Sequence, residues 1–137
     1  MLHHVEVWVP DLKRTIDSWG WLFGELGWER HQYWEGGISW RQGDTYIVFE
    51  QSPALTATTH ERCRPGLNHL AFHAGSSSDV DKLVAAAPTY GWSLMFADLH
   101  PHAGGPETYA AYLEDRDGYE VELVAAQIPA KIVRPST

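Results

Sequence analysis

Hydrophobic and polar residues alternate with period two along residues 2–9, the pattern of a strand with one buried face. Residues 28–34, 38–42 and 45–51 show further strand patterns, separated by Gly36-Gly37 and Gly43-Asp44. Between the first two strands, apolar residues recur at helical spacing from Leu12, after an Asp11 cap and before Gly27. The first half of the chain therefore predicts the order βαβββ.

The second half predicts the same order. Residues 67–74 form a strand, and a helix follows, capped by Ser77 or Ser78 with Asp81 and closed by Pro88 and Gly91. Strands are predicted at 92–97, 108–114 and 119–125, the last two joined by an Asp-Gly turn. The halves also share Leu-x-His at 2–4 and 67–69 and Gly-Trp at 27–28 and 91–92, although so few matches can also arise by chance.

A repeat of about 65 residues is too short to bury a large hydrophobic core by itself, so we predict two half-domains that share one core. The expected unit is one α+β domain over residues 1–137. It comprises a module at 1–51, a connector at 52–66, a module at 67–126 and a C-terminal tail at 127–137.

Composition limits the function. Ten basic against eighteen acidic residues give a formal net charge of −8, which disfavours nucleic acid and anionic membranes. No apolar run approaches the roughly 20 residues of a membrane span, and no signal-peptide pattern opens the chain, so we expect a cytoplasmic protein. Cys63 has no companion for a disulfide or a thiolate metal site. Eight His and seven Trp are available for metal binding and flat apolar walls.

Strand parity sorts these residues, because alternate side chains point to opposite faces of a sheet. One face carries aliphatic and aromatic residues and suits helix packing. The other face carries His, Glu, Trp and Tyr but no Lys or Arg on four strands: His4, Glu6, Trp8; Tyr46, Val48, Glu50; His69, Ala71, His73; Glu120, Glu122, Val124. We call this second face, which carries the His and Glu residues, the ligand face. It could simply be exposed to solvent, as one face is in many antiparallel sheets. Two His and two Glu from equivalent positions of duplicated halves would instead suit a divalent metal.

Three segments together resemble the vicinal oxygen chelate superfamily, which includes glyoxalase I, extradiol dioxygenases, fosfomycin-resistance enzymes and bleomycin-binding proteins. They are Leu-His-His-Val-Glu-Val-Trp-Val-Pro-Asp-Leu at 2–12, Gly-Leu-Asn-His-Leu-Ala-Phe at 66–72 and Glu-Asp-Arg-Asp-Gly-Tyr-Glu-Val-Glu-Leu at 114–123. The resemblance implies two βαβββ modules pairing into a curved, barrel-like mixed sheet around a metal. It also implies His4, His69 and Glu122 as ligands, with Glu50 at the position of the fourth ligand of the glyoxalase I branch.

The leading hypothesis is a glyoxalase-like lyase or isomerase that acts on a small carbonyl or enediolate substrate. One divalent ion, Zn, Ni, Mn or Fe, would polarise the substrate, and Glu50 or Glu122 would transfer the proton. A metal-free protein that confers antibiotic resistance by sequestration is an alternative. An extradiol-type ring-cleaving dioxygenase is another, although a fourth ligand argues against it. The substrate is not encoded in any motif.

The remaining candidates belong to the pocket. Trp8, Tyr46, His73, His102 and Tyr109 are predicted to line it, with Trp40 as a further wall. Residues 98–107 are either a mobile loop over the site or a plain surface connection. A homodimer is expected, with a site that either stays within one chain or takes one half from each chain.

Overall fold

The computed structural model describes residues 1–127, so all but the first residue of the predicted C-terminal tail lies outside the described residues. Both halves follow the predicted order. The first contains β1 (His4–Trp8), α1 (Leu12–Glu25), β2 (Glu29–Trp34), β3 (Gly37–Gln42) and β4 (Thr45–Glu50). The second contains β5 (His69–His73), α2 (Ser77–Ala86), a short 3-10 helix (Ala87–Tyr90), β6 (Ser93–Met95), β7 (Ala110–Glu114) and β8 (Glu120–Val124).

Each half forms its own four-stranded sheet. The strand orders are β1-β4-β3-β2 and β5-β8-β7-β6. In the first sheet β1 runs parallel to its neighbour β4, and in the second β5 runs parallel to its neighbour β8. The α+β architecture of two βαβββ modules is therefore confirmed. The barrel-like description is too strong, because the two sheets are separate and both are open.

The helix-facing sides of the two sheets share one hydrophobic core, as predicted. Trp19 of α1 packs edge-on against Trp92, with ring centroids 5.1 Å apart. The two indoles also join the halves by hydrogen bonds, since Trp19 donates to Asp115 Oδ2 and Trp92 donates to the Ser18 carbonyl. Trp40, expected in the pocket, is buried in this core against Phe23.

The ends of several elements differ from the prediction. The cap of α2 is Ser76 with Asp79, because these two residues have the three-residue spacing of a reciprocal capping box. Pro88 does not end the helical segment but lies in the first turn of the 3-10 helix, where its missing N–H costs nothing. Gly91, at φ +89°, ends it. No helix among residues 1–127 has the length and apolar character to cross a membrane.

Candidate functional site

The four predicted metal ligands lie on two different sheets. His4 and Glu50 are on β1 and β4 of the first sheet, and His69 and Glu122 are on β5 and β8 of the second. Within residues 1–127, no three His, Cys, Asp or Glu side chains gather closely enough to hold a metal ion. One chain therefore presents two separate half-sites.

The half-site on the second sheet is centred on His69. Its Nε2 lies 3.3 Å from Glu122 Oε1, and its Nδ1 lies 2.6 Å from Asn68 Oδ1. Asn68 Nδ2 donates to the Arg62 carbonyl at 3.0 Å, which fixes the orientation of the amide and leaves Oδ1 facing the ring. Because an amide oxygen only accepts, Nδ1 carries the proton and the lone pair of a neutral His69 is on Nε2.

Glu122 is held from the other side by β7. Tyr112 is its register partner. Burial, together with a hydrogen bond to Glu122, raises the pKa of Tyr112, so the phenol keeps its proton and donates a hydrogen bond to the carboxylate. The loop between β6 and β7 also approaches closely, since a Cβ on Gly104 would lie 2.8 Å from the Tyr112 hydroxyl oxygen.

A cavity of about 310 Å³ opens beside this half-site, lined by Arg62, His69, Phe96, Leu99, Tyr112 and Glu120 among others. Phe96 has a φ of +53°, in the left-handed region that a bulky side chain rarely adopts. Its ring packs edge-on against Tyr112, with centroids 5.5 Å apart. Such backbone strain is common in residues that shape ligand sites. Leu99 and Ala103 in the lining show that the loop 98–107 borders the site.

The half-site on the first sheet is more open. The exposed His4 ring stacks on Tyr46, with centroids 4.9 Å apart and planes within 5°. Its Nδ1 lies 2.8 Å from Nδ1 of His3, the adjacent residue, so one of the two rings donates to the other. Trp8 and Glu50 are register partners at the other end of the same two strands.

The register corrects the equivalence of the two glutamates. On the second sheet His69 pairs with Glu120, and Glu122 is two residues further along β8. On the first sheet His4 pairs with Tyr46, and two residues further along β4 is Val48. Val48 is thus the counterpart of Glu122, while Glu50 corresponds to Val124. Residues two apart share a face, so parity could not distinguish them, and the register does not support Glu50 as a fourth ligand.

The predicted pocket residues are dispersed. Trp8 and Tyr46 lie on the ligand face of the first sheet, as their parity predicted. His73 lines a groove beside the helices with Trp21 and Lys82. His102 is exposed, and its Nδ1 lies 2.9 Å from the Thr108 carbonyl oxygen. Tyr109, the residue before β7, donates a hydrogen bond to Asp81 of α2. Its side chain is therefore directed to the helix and does not join Glu122 and Tyr112.

Four residues of the two half-sites were not singled out from the sequence. Asn68 stood next to a predicted ligand without a role, and Tyr112 has the parity of the ligand face on β7. Arg62 lies in the irregular connector, where no periodic pattern applies. Trp34 pairs with Gly37, which pairs with Glu50, so it lies on the ligand face of the first sheet. Strict alternation along β2 places it on the other face, because a register shift between Arg30 and Gln32 changes the face on which the later residues lie.

Comparison with known proteins agrees with this architecture. Residues 3–112 match the family model of the Glyoxalase/Bleomycin resistance protein/Dioxygenase superfamily. The chain is 44% identical over 126 residues to the uncharacterized protein YqjT of Bacillus subtilis (strain 168), covering 90% of this chain and 98% of YqjT.

Solved structures give the same result. A glyoxalase-type protein from Bacillus halodurans is 46% identical, with a TM-score of 0.87 over 92% of this chain and 96% of that one. The fosfomycin resistance protein FosX from Listeria monocytogenes, complexed with Mn(II) and sulfate, shares the fold at 20% identity and a TM-score of 0.59, over 93% of each chain. The chain belongs to the Glyoxalase/Bleomycin resistance protein/Dioxygenase superfamily.

Proposed function

We propose that this protein is a metal-dependent lyase or isomerase of a small carbonyl or enediolate substrate, with a divalent ion bound by His69 and Glu122 of one chain and His4 of a second chain. The proposal builds on the family and on the contents of the two half-sites. An imidazole nitrogen and a carboxylate oxygen are donors that suit Zn, Ni, Mn or Fe.

The observation that carries the proposal is the contact between His69 and Glu122. His69 Nε2 lies 3.3 Å from a carboxylate oxygen. In the neutral tautomer that Asn68 selects, both atoms are acceptors, and two acceptors repel each other unless a cation or proton lies between them. Two donor atoms bound at about 2.1 Å to one ion lie about 3.0–3.4 Å apart. The Asn68 contact to Nδ1 is the outer support that metal-binding histidines commonly have.

A second copy of the chain would complete the ligand set. Two protein ligands are fewer than the three of a catalytic metal site. His4 is on a different sheet, and within residues 1–127 it does not form a cluster with His69 and Glu122. The ligand set in a homodimer is then His4 from one chain with His69 and Glu122 from the other.

The chain's own residues prepare this site. A divalent ion bound there supplies a Lewis acid for a substrate oxygen. Tyr112 keeps its proton and donates a hydrogen bond to Glu122, which orients the carboxylate. Phe96 and Leu99 contribute apolar surface to the lining of the cavity. The Arg62 guanidinium lies 3.9 Å from the buried Glu120 carboxylate, and both residues line the same cavity.

Ring-cleaving dioxygenase chemistry is the second candidate, because Val48 takes the place of a fourth carboxylate. Two His and one carboxylate leave adjacent open positions on Fe(II) for substrate and oxygen.

Elemental analysis tests both enzyme proposals. Purified protein loaded separately with Mn(II), Fe(II), Zn(II) and Ni(II) is desalted and analysed. About one ion per chain is expected, with loss of the ion in His69→Ala and retention in Glu50→Gln. Turnover of small hemithioacetals would support the lyase, and oxygen uptake with catechols in the Fe(II) protein would support the dioxygenase. If the wild type retains no stoichiometric ion, both proposals fail and sequestration is favoured.

A further inference from the structure

One row of the first sheet places a carboxylate between two indoles. Trp8 pairs with Glu50, Glu50 pairs with Gly37, and Gly37 pairs with Trp34, so the four residues cross the sheet side by side on the ligand face. Both indoles are accessible, with Trp8 41% and Trp34 39% exposed. Residues paired in this way have side chains on the same face.

Gly37 determines where the Trp34 ring lies. A Cβ on Gly37 would be only 2.2 Å from Cζ2 of that indole, so the ring occupies the space where a side chain of β3 would stand. The Trp34 ring therefore crosses over β3 in the direction of β4, on which Glu50 lies. Glycine weakens the interior of a strand and often marks a close approach, which this ring makes.

Glu50 has no cationic partner within residues 1–127. The ion pairs of Arg14, Arg62 and His69 all involve other carboxylates. The nearest carboxylate on β1 of the same face is Glu6, which adds negative potential, and the chain carries a formal net charge of −8. A bound positive group would be attracted both by the carboxylate and by the indole faces.

We propose that Trp8, Glu50 and Trp34 bind a substituted ammonium group of the substrate. Neighbouring strands are about 4.8 Å apart, so β1, which carries Trp8, and β3, over which the Trp34 ring lies, are about 10 Å apart, with Glu50 on the strand between them. A gap of this width accommodates a methylated ammonium group. Trp8 is four residues from His4 on one strand, a distance of about 13 Å. The substrate class is then an extended molecule with a reactive oxygen at one end and a cationic nitrogen at the other.

The assignment of this site to the substrate rests on the proposed function, but its binding test does not require a metal. Choline and its neutral isostere 3,3-dimethyl-1-butanol are titrated into EDTA-treated full-length protein by calorimetry and indole fluorescence. Choline should bind at least about 10-fold more tightly than the isostere, and Glu50→Gln should abolish this preference. Trp34→Leu should weaken choline binding by about 5- to 30-fold, and Gly37→Ala, which displaces the ring, should act in the same direction.

Two control variants make the test specific. Glu6→Gln removes a carboxylate from the same face but outside the row, and Tyr33→Leu removes an exposed aromatic ring of β2; each should change choline affinity less than about twofold. Equal binding of choline and the isostere overturns the proposal, as does an equal loss in Glu6→Gln and Glu50→Gln. It is also overturned if Trp34→Leu and Gly37→Ala both dissociate a dimer, because the row would then be a subunit contact. If the wild type binds no metal but still prefers choline, only the proposed function is contradicted, and the ammonium site stands.

Discussion

Mixing two inactive variants tests whether the metal site is shared between chains. His4→Ala removes the ligand of the first sheet, and His69→Ala removes a ligand of the second sheet, so neither homodimer has a complete set. In a heterodimer of the two, both lesions fall in one site, and the other site has His4 from the His69→Ala chain with His69 and Glu122 from the His4→Ala chain. One complete site is regained in each heterodimer.

The size of the recovery follows from this arrangement. Random exchange of equal amounts gives heterodimers in about half of the dimers, so about a quarter of all sites become complete. Stoichiometric metal should therefore rise from near zero in each parent to about a quarter of the wild-type value. A mixture of His69→Ala with Glu122→Ala is the matched control. Every site in that heterodimer still lacks a ligand, so no metal is regained.

The assay needs proof that chains exchange. A mass tag on one variant allows native mass spectrometry to count heterodimers, and elemental analysis of the desalted mixture measures bound metal. If tagged heterodimers form and the mixture binds no more metal than its parents, the site is not shared in this way. A monomeric wild type in sedimentation velocity would also refute the arrangement.

Three further predictions concern single residues. Asn68→Ala should lower metal affinity by about 10- to 100-fold, while Asn68→Asp keeps an acceptor for His69 Nδ1 and should retain more affinity; equal losses would contradict the orienting role. Asp115→Asn places an amide donor near the Trp19 indole N–H and should lower the free energy of unfolding by about 1–3 kcal/mol in urea titrations; an unchanged midpoint and slope would be inconsistent with this role. Burial raises the pKa of Tyr119 to about 12 from 10.0. Because the folded state holds this proton more tightly, Tyr119 should make the free energy of unfolding fall between about pH 10 and 12, and Tyr119→Phe should make that slope shallower; an unchanged slope would contradict this assignment.

The fold was predictable because its signals are local. Period-two alternation, the Asp11 cap and the glycine turns each determine a few neighbouring residues, and both βαβββ halves followed from them. The boundaries of α2 were less certain, because three serines in succession at 76–78 offered several caps.

The composition of the site was only partly predictable. Parity correctly placed Trp8, Tyr46 and Glu122 on the ligand face, since it requires only alternation. Which residues lie side by side across a sheet depends on the pairing of strands that are distant in the sequence. One strand alone therefore does not show that Val48 and Glu122 are equivalent, nor that Trp34 approaches Glu50. The separation of His4 from His69 depends on how the two sheets pack, which no local pattern specifies.

Substitutions on the two faces of each sheet affect the protein in different ways. Substitutions on the helix side disturb a core that both halves share, whereas those on the ligand face leave the core unchanged. Val48, 5% exposed on the ligand face, stands in the row where the second sheet has Glu122. A carboxylate there would be costly without a cation, but in the assembled site it would add a fourth donor. In the proposed metal site, one residue of β4 would then decide whether the ion keeps open positions for oxygen and a bidentate substrate or is saturated by protein ligands. Two proteins with this backbone could then differ in their metal chemistry through a single substitution, with the bound ion offsetting the cost of the buried carboxylate.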